Sequence, residues 1–359
     1  MRTAVVDLFC GVGGLTRGLE KAGLNVVAGI DNDPTCEYAY NENNKSRFIK
    51  EDVSTYSAKD LAELFGDADC KILVGCAPCQ TFSDQSRKIR KQKDLTTDPR
   101  WTLLNSFADY IEKIKPDIVS MENVPGLSKF PIFNEFCNRL KRNGYGDPYV
   151  QIVDCAKYGL PQKRRRLVLL ASRYDKPINL VSHEDKRFAK KRTVKDAIGE
   201  LPSIDCGQMH EKDKLHKCAG LTPINFERLK HSKQGGTWRD WPEDLLTSCH
   251  KKESGKDFTS VYGRMRWDEP SPTMTTQFFY IGAGRYGHPE QNRAISLREG
   301  ALLQTFPKGY KFFRNTEDMA MSTISRHIGN AVPVDLGRII GISIQEHLDK
   351  VEKCQKKTD

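Results

Sequence analysis

Over roughly its first 175 residues the chain alternates short apolar runs with stretches whose apolar positions recur every three or four residues. The runs at 4–9, 26–30, 72–74, 118–121, 150–153 and 167–170 are rich in Val, Ile and Leu and too short for helices, so they predict strands. Between two of them Phe107, Tyr110, Ile111 and Ile114 fall at helical spacing; Phe133, Phe136 and Leu140 do so farther on. Strand and helix in turn predict an α/β fold on a doubly wound, mostly parallel sheet. Past residue 174 the period dissolves into charged residues, and Gly235-Gly236 punctuates the stretch. This region, 94 residues from 174 to 267 inclusive, is either a second domain with short strands or a long insertion. A structureless loop of that size would be exceptional in a compact chain, which favours a second, smaller domain. Periodicity returns with Leu336, Ile340, Ile344 and Leu348, flanked by Ile339 and His347, and predicts a C-terminal helix packed back onto the first domain.

At 359 residues the chain can bury a proper core, and its length fits about two domains. No uncharged stretch approaches the roughly 20 residues of a membrane span. An acid at Asp7 interrupts any signal-peptide core, so a soluble, cytoplasmic protein with no membrane partner is expected. The formal charge is +10, from 57 Lys and Arg against 47 Asp and Glu. Much of the surplus is concentrated in Arg87-Lys88-Ile89-Arg90-Lys91-Gln92-Lys93, in Lys163-Arg164-Arg165-Arg166 and in Lys186-Arg187-Phe188-Ala189-Lys190-Lys191-Arg192. One such run is usually a solvated face; three of them favour a nucleic-acid partner. The eleven cysteines are odd in number and follow no secretory signal, so reduced thiols are expected rather than a disulfide framework.

Candidate chemistry clusters where predicted strands end. Ile72–Val74 runs into Gly75-Cys76-Ala77-Pro78-Cys79, which carries Cys79 just past a strand's carboxyl end, where open α/β sheets place their ligands. Residues 118–121 run into Glu122-Asn123-Val124. A thiol and a carboxyl delivered to one sheet edge suit covalent attack assisted by an acid. The first strand closes into Phe9-Cys10-Gly11-Val12-Gly13-Gly14, a glycine turn that lets a ligand approach the backbone. The second ends at Asp31, 20 residues after Gly11, at the usual offset for an acid that binds ribose hydroxyls. The glycine spacing is not that of a pyrophosphate cradle, so a nucleoside-type ligand is expected. Cys76 reads as a small buried residue, and Cys76-Ala77-Pro78-Cys79 lacks the context of a redox pair. Cys206, His210, His216 and Cys218 match no standard zinc spacing, so they read as loop residues and no metal is expected.

Taken in order, DLFCGVGG, GCAPCQTFS, ENV, QKRRR, EPSPTMTT and HIGNAVP resemble the DNA (cytosine-5) methyltransferases, and the similarity runs from Ala4 to the C-terminal helix. The resemblance implies S-adenosyl-L-methionine as cofactor, with Phe9 on its adenine, Asp31 on its ribose and Asp52 on the adenine amino group. Gly11, Gly13, Gly14, Pro78, Leu103, Asn330 and Val332 would line the same cavity. Cys79 matches the family nucleophile, Glu122 the acid, and Gln162, Arg164 and Arg166 the Q-x-R-x-R pattern, in which Arg164 and Arg166 stabilise charge and orient the base. Gln80, Ser83, Arg100, Asn123 and Gln162 would meet double-stranded DNA. Residues 83–100 would form a basic loop that closes over an extruded base, although Trp101 stands where the family often has glycine.

The implied division is a catalytic domain at 1–173, a small target-recognition domain at 174–320, and a segment at 321–359 returning to the first. The implied reaction is methyl transfer to C5 of cytosine in a specific duplex sequence, through a bond between Cys79 and C6 of a flipped-out base. A stand-alone bacterial or phage restriction-modification enzyme, partnered by a cognate endonuclease, fits the absence of added regulatory domains. A transfer-RNA methyltransferase is the nearer alternative, but its Cys-Phe-Thr signature is missing. A catalytically silent DNA-binding homologue is the other, but this chain keeps both nucleophile and glycine turn.

Overall fold

Val5, Val6 and Leu8, then Ile72, Leu73 and Val74, then Ile118, Val119 and Met121 are fully buried, as expected of strands covered on both faces. The structure is a computed structural model that describes residues 1–78, 99–255 and 259–358. Its strands are β1 (Thr3–Leu8), β2 (Val26–Asp31), β3 (Arg47–Lys50), β4 (Cys70–Gly75), β5 (Ile118–Asn123), β6 (Tyr149–Asp154) and β7 (Arg165–Ser172). They form one seven-stranded sheet in the order β3-β2-β1-β4-β5-β7-β6. Pairing is parallel from β3 to β5; β7 runs antiparallel between β5 and β6. The order reverses at β1, so the crevice beside β1 and β4 is the switch point at which open α/β sheets bind ligands.

The six predicted strands are all present. β3 is the addition: it has four residues, none fully buried, and so carries no apolar run to announce it. The sheet's core is completed by Phe107, Tyr110 and Ile111 on the helix Pro99–Ile114 and by Phe133, Phe136 and Leu140 on the helix Pro131–Arg142. Their spacing is the helical one read from the sequence.

Contacts divide the chain into two units. The first comprises Met1–Asp154, Arg165–Asp185 and Val332–Asp359; the second comprises Cys155–Arg164 and Lys186–Ala331. In this division the second unit opens at Lys186 and closes at Ala331, and 155–164 is grouped with it. No helix among the described residues is long and apolar enough to cross a membrane.

Among its described residues the second unit contains short helices and isolated bridges rather than a sheet. Buried guanidinium groups stitch its loops. Arg264 donates to the carbonyls of Leu229, Ser232, His288 and Gln291, and Arg293 forms a two-pronged pair with Glu299 at 2.7 Å for each bond.

In the first unit, the C-terminal helix Val334–Thr358 lies against the helix Gly14–Lys21, directly behind the glycine turn. Glycine permits the close approach. A Cβ on Gly18 would strike the Val334 carbonyl and come 2.5 Å from the Arg338 amide, and one on Gly337 would come 2.9 Å from the Leu15 carbonyl. Gly18→Ala is expected to cost about 1–3 kcal/mol, read as a lowered thermal midpoint. An unchanged midpoint would show that the two helices are free to separate.

Candidate active site

The register of the sheet aligns the strand ends. Leu8 of β1 pairs with Ile30 of β2 and with Gly75 of β4, and Gly75 pairs with Met121 of β5. One residue further along these four strands stand Phe9, Asp31, Cys76 and Glu122. The ladder continues past the strands, since the Cys10 amide donates to the Ile30 carbonyl at 3.2 Å and the Cys76 amide to the Leu8 carbonyl at 3.3 Å. Residues distant in sequence thus share one edge of the sheet.

The turn after β1 is left-handed at Phe9 (φ 60°), Gly11 (φ 51°) and Gly13 (φ 83°). Gly11 is needed for that backbone shape alone, because a Cβ there would meet nothing within 4 Å. Gly13 caps the helix Gly14–Lys21, and a Cβ on it would strike the side chain of Asn44. Asp31 accepts from the Gly11 amide on one oxygen and from the Asp33 amide on the other, each at 2.9 Å. Burial pushes its carboxyl up, and those two N–H groups oppose the shift. Asp52, just past β3, accepts from the Ser54 hydroxyl at 2.6 Å and amide at 2.8 Å, which lowers its pKa.

A carboxylate has about four acceptor positions, so Asp31 can still take ribose hydroxyls and Asp52 an amino group. Half-buried Phe9 and the open space over Gly11 stand at the same sheet edge. Of the other residues expected around the ligand, Gly14 and Val332 are buried, Leu103 is half-buried and Pro78 is exposed. Asn330 is exposed at the end of the helix Met321–Asn330, in the second unit.

Glu122 is 3% exposed. Arg166, on antiparallel β7, places its Nε 3.0 Å from Oε1, and the Cys76 thiol donates to Oε2 at 2.9 Å. Glu122 stands opposite Val168, which makes Arg166 a diagonal neighbour on the same face of the sheet. Cys76 is thus half-buried and engaged with the acid, rather than the small buried filler expected from sequence. The missed signal was its place as the first residue past β4. Asn123, expected at DNA, is buried; its Nδ2 donates to the Ala77 carbonyl at 3.2 Å and its Oδ1 accepts from the Val124 amide at 2.9 Å. Cys79, Gln80, Ser83 and the proposed loop up to residue 98 lie outside the described residues, as does the side chain of Arg100.

The Q-x-R-x-R residues do two kinds of work. Lys163 and Arg165 are exposed, while Gln162 and Arg164 are buried and Arg166 is half-buried. Gln162, expected at DNA, has no exposure and spends its amide within the second unit. Its Nε2 donates to Gln304 Oε1 at 2.8 Å and to the Leu303 carbonyl at 3.1 Å, and its Oε1 accepts from the Met274 amide at 2.9 Å. Arg164 donates to the carbonyls of Met274 at 3.0 Å and of Gly329 and Ala331 at 3.3 Å each. Gly329 fits because a Cβ there would strike the Thr275 carbonyl. QKRRR, PTMTT and HIGNA, far apart in sequence, are locked together by these bonds.

Residues 3–346 match the family described as C-5 cytosine-specific DNA methylase. The chain is similar to the Type II methylase M.HgiDII of Herpetosiphon aurantiacus, with 49% identity over 98% of each chain. It is similar to the Type II methyltransferase M.Eco47II of Escherichia coli at 32% identity, over 97% of this chain and 80% of the relative. In fold it resembles a DNA modification methyltransferase encoded within an E. coli prophage, with a TM-score of 0.71 and 23% identity over 97% of this chain and 99% of that one.

Beneath the glycine turn, Asp7 accepts from the Thr16 hydroxyl at 2.7 Å, and the chain of bonds continues through Tyr40 to Ser46. Burial pushes Asp7 from 3.8 up to about 7. Between those values the native state holds a proton that the unfolded chain gives up, so this contribution to stability falls as pH rises from about 4 to about 7. Asp7→Asn is expected to flatten that fall in denaturation midpoints measured across the window. A slope equal to that of the wild type would contradict it.

Proposed function

The chain belongs to the C-5 cytosine-specific DNA methylase family, and from that membership we propose that it transfers a methyl group from S-adenosyl-L-methionine to C5 of cytosine in a specific double-stranded sequence. The observation that carries the reading is Glu122: a buried carboxyl on the same sheet edge as Asp31, bracketed by a guanidinium and a thiol.

C5 of cytosine is a poor nucleophile until the ring is activated. Cys79, as thiolate, adds to C6; the new S–C6 bond pushes electron density to C5, and Glu122 shares a proton with N3 so that negative charge does not build up on the ring. S-adenosyl-L-methionine supplies an electrophilic methyl group. Once C5 carries the methyl, its proton leaves to water, the C5–C6 double bond re-forms and the S–C6 bond breaks. Arg166 keeps Glu122 in place throughout. Phe9, Asp31 and Asp52 hold the adenosyl part, with Gly11, Gly13, Gly14, Pro78, Leu103 and Val332 of the same unit around it. A stacked base hides C6, so the target must swing out of the duplex.

We assign Arg164 and Gln162 to holding the motifs of the second unit together, and through them the positions that meet the base. That unit would read the sequence. Lys186, Arg187, Lys190 and Lys191 are exposed around buried Phe188 and suit phosphate contacts. Relatives bearing Type II names favour a restriction-modification role, with an endonuclease acting on the same site as the biological partner.

Incubation with methyl-labelled cofactor and either duplex DNA or transfer RNA, followed by nucleoside analysis, tests the assignment. Label is expected in 5-methylcytosine from DNA, falling on the order of 1,000-fold or more in Cys79→Ser. Label confined to transfer RNA would contradict the choice of substrate.

A further inference from the structure

The reaction scheme leaves one thiol at the sheet edge without a role. Cys76 is half-buried and lies between two strands. Its amide donates to Leu8 of β1 at 3.3 Å, its Sγ meets Glu122 Oε2 of β5 at 2.9 Å, and the next residue, Ala77, is tied to Asn123 at 3.2 Å. The two backbone bonds hold the chain that carries the sulfur in place beside the acid. The other oxygen of Glu122 meets Arg166 Nε at 3.0 Å. That contact is an ion pair without a hydrogen bond, so the Cys76 thiol is the hydrogen-bond donor that orients the carboxyl and Arg166 is the charge beside it.

We propose that Cys76 is a positioning residue for Glu122: its S–H holds Oε2 while Arg166 supplies the charge beside Oε1, so that the carboxyl is already oriented when cytosine N3 arrives. The inference rests on the reading of Glu122 as the acid. A thiol suits the task. It is a weak, polarizable donor, so it orients the ionised carboxylate without competing strongly for the proton that Glu122 shares with N3. When Glu122 is protonated, the same sulfur accepts in place of donating. The groups facing Glu122 from the two neighbouring strands are therefore Cys76, at the end of β4, and Arg166, on β7.

The test is a double-mutant cycle on single-turnover methyl transfer to duplex DNA, using Cys76→Ala, Cys76→Ser, Glu122→Gln and Cys76→Ala with Glu122→Gln. Cofactor and DNA dissociation constants and the thermal midpoint are measured for each protein. Cys76→Ala is expected to slow transfer on the order of 10-fold, with both dissociation constants within about two-fold of wild type. Cys76→Ser, which restores a donor of similar size, should recover most of the rate. In the Glu122→Gln background the alanine substitution should cost nothing further. Wild-type transfer by Cys76→Ala beside a slow Glu122→Gln would overturn the inference and leave the acid assignment standing. An equal cost of Cys76→Ala in both backgrounds would also overturn it. Wild-type transfer by Glu122→Gln would instead remove the acid assignment, and this inference with it.

Discussion

Burying a carboxylate costs several kcal/mol unless charged or hydrogen-bonding partners replace the water it loses. Glu122 meets that condition through Arg166 and Cys76. Much of the first unit's topology is what this requires. The parallel strands β1, β4 and β5 set Phe9, Cys76 and Glu122 at one level, because a parallel sheet holds its register along each strand. β7 enters against the grain, and its antiparallel pairing brings Arg166 diagonally across from the acid. A parallel strand in that place would start its run at the far edge of the sheet.

The second unit solves a different problem. Its loops carry many backbone carbonyls that no sheet ladder satisfies, and buried arginines accept that work. Arg264 gathers four carbonyls, and Arg164 joins three from two separated segments. Both arginines are buried and so are withdrawn from any phosphate. The basic run QKRRR is therefore not one patch: Lys163 and Arg165 face outward, Arg164 clasps the second unit, and Arg166 serves the acid.

What was legible in the sequence follows the same division. Apolar runs announced the central strands because both faces of the sheet are covered, and the helical stripes on Pro99–Ile114 and Pro131–Arg142 were plain because only one face of each is buried. The position of Asp31 followed from counting residues past the glycine turn. β3 was silent because it is short and only partly covered. The second unit could not be folded by periodicity, since guanidinium–carbonyl bonds stabilise it and leave no repeat in the sequence. Gln162 and Asn123 looked like substrate contacts on the strength of their motifs, yet the structure spends their amides on neighbouring chain segments. The contact between Cys76 and Glu122 depends on register between strands 46 residues apart, which composition and spacing do not encode.

The most direct test of the claim that the Arg166–Glu122 pair holds the acid at this sheet edge is the rate of covalent capture on a duplex carrying 5-fluorocytosine at the target. Loss of one member of a buried pair commonly costs several kcal/mol, so Arg166→Ala, folded by its thermal midpoint, should form the adduct roughly 30-fold more slowly or worse. Arg166→Lys should recover part of that loss, with the adduct mapped to Cys79 in every protein that reacts. Capture by Arg166→Ala at the wild-type rate, or an adduct on another side chain, would contradict the account.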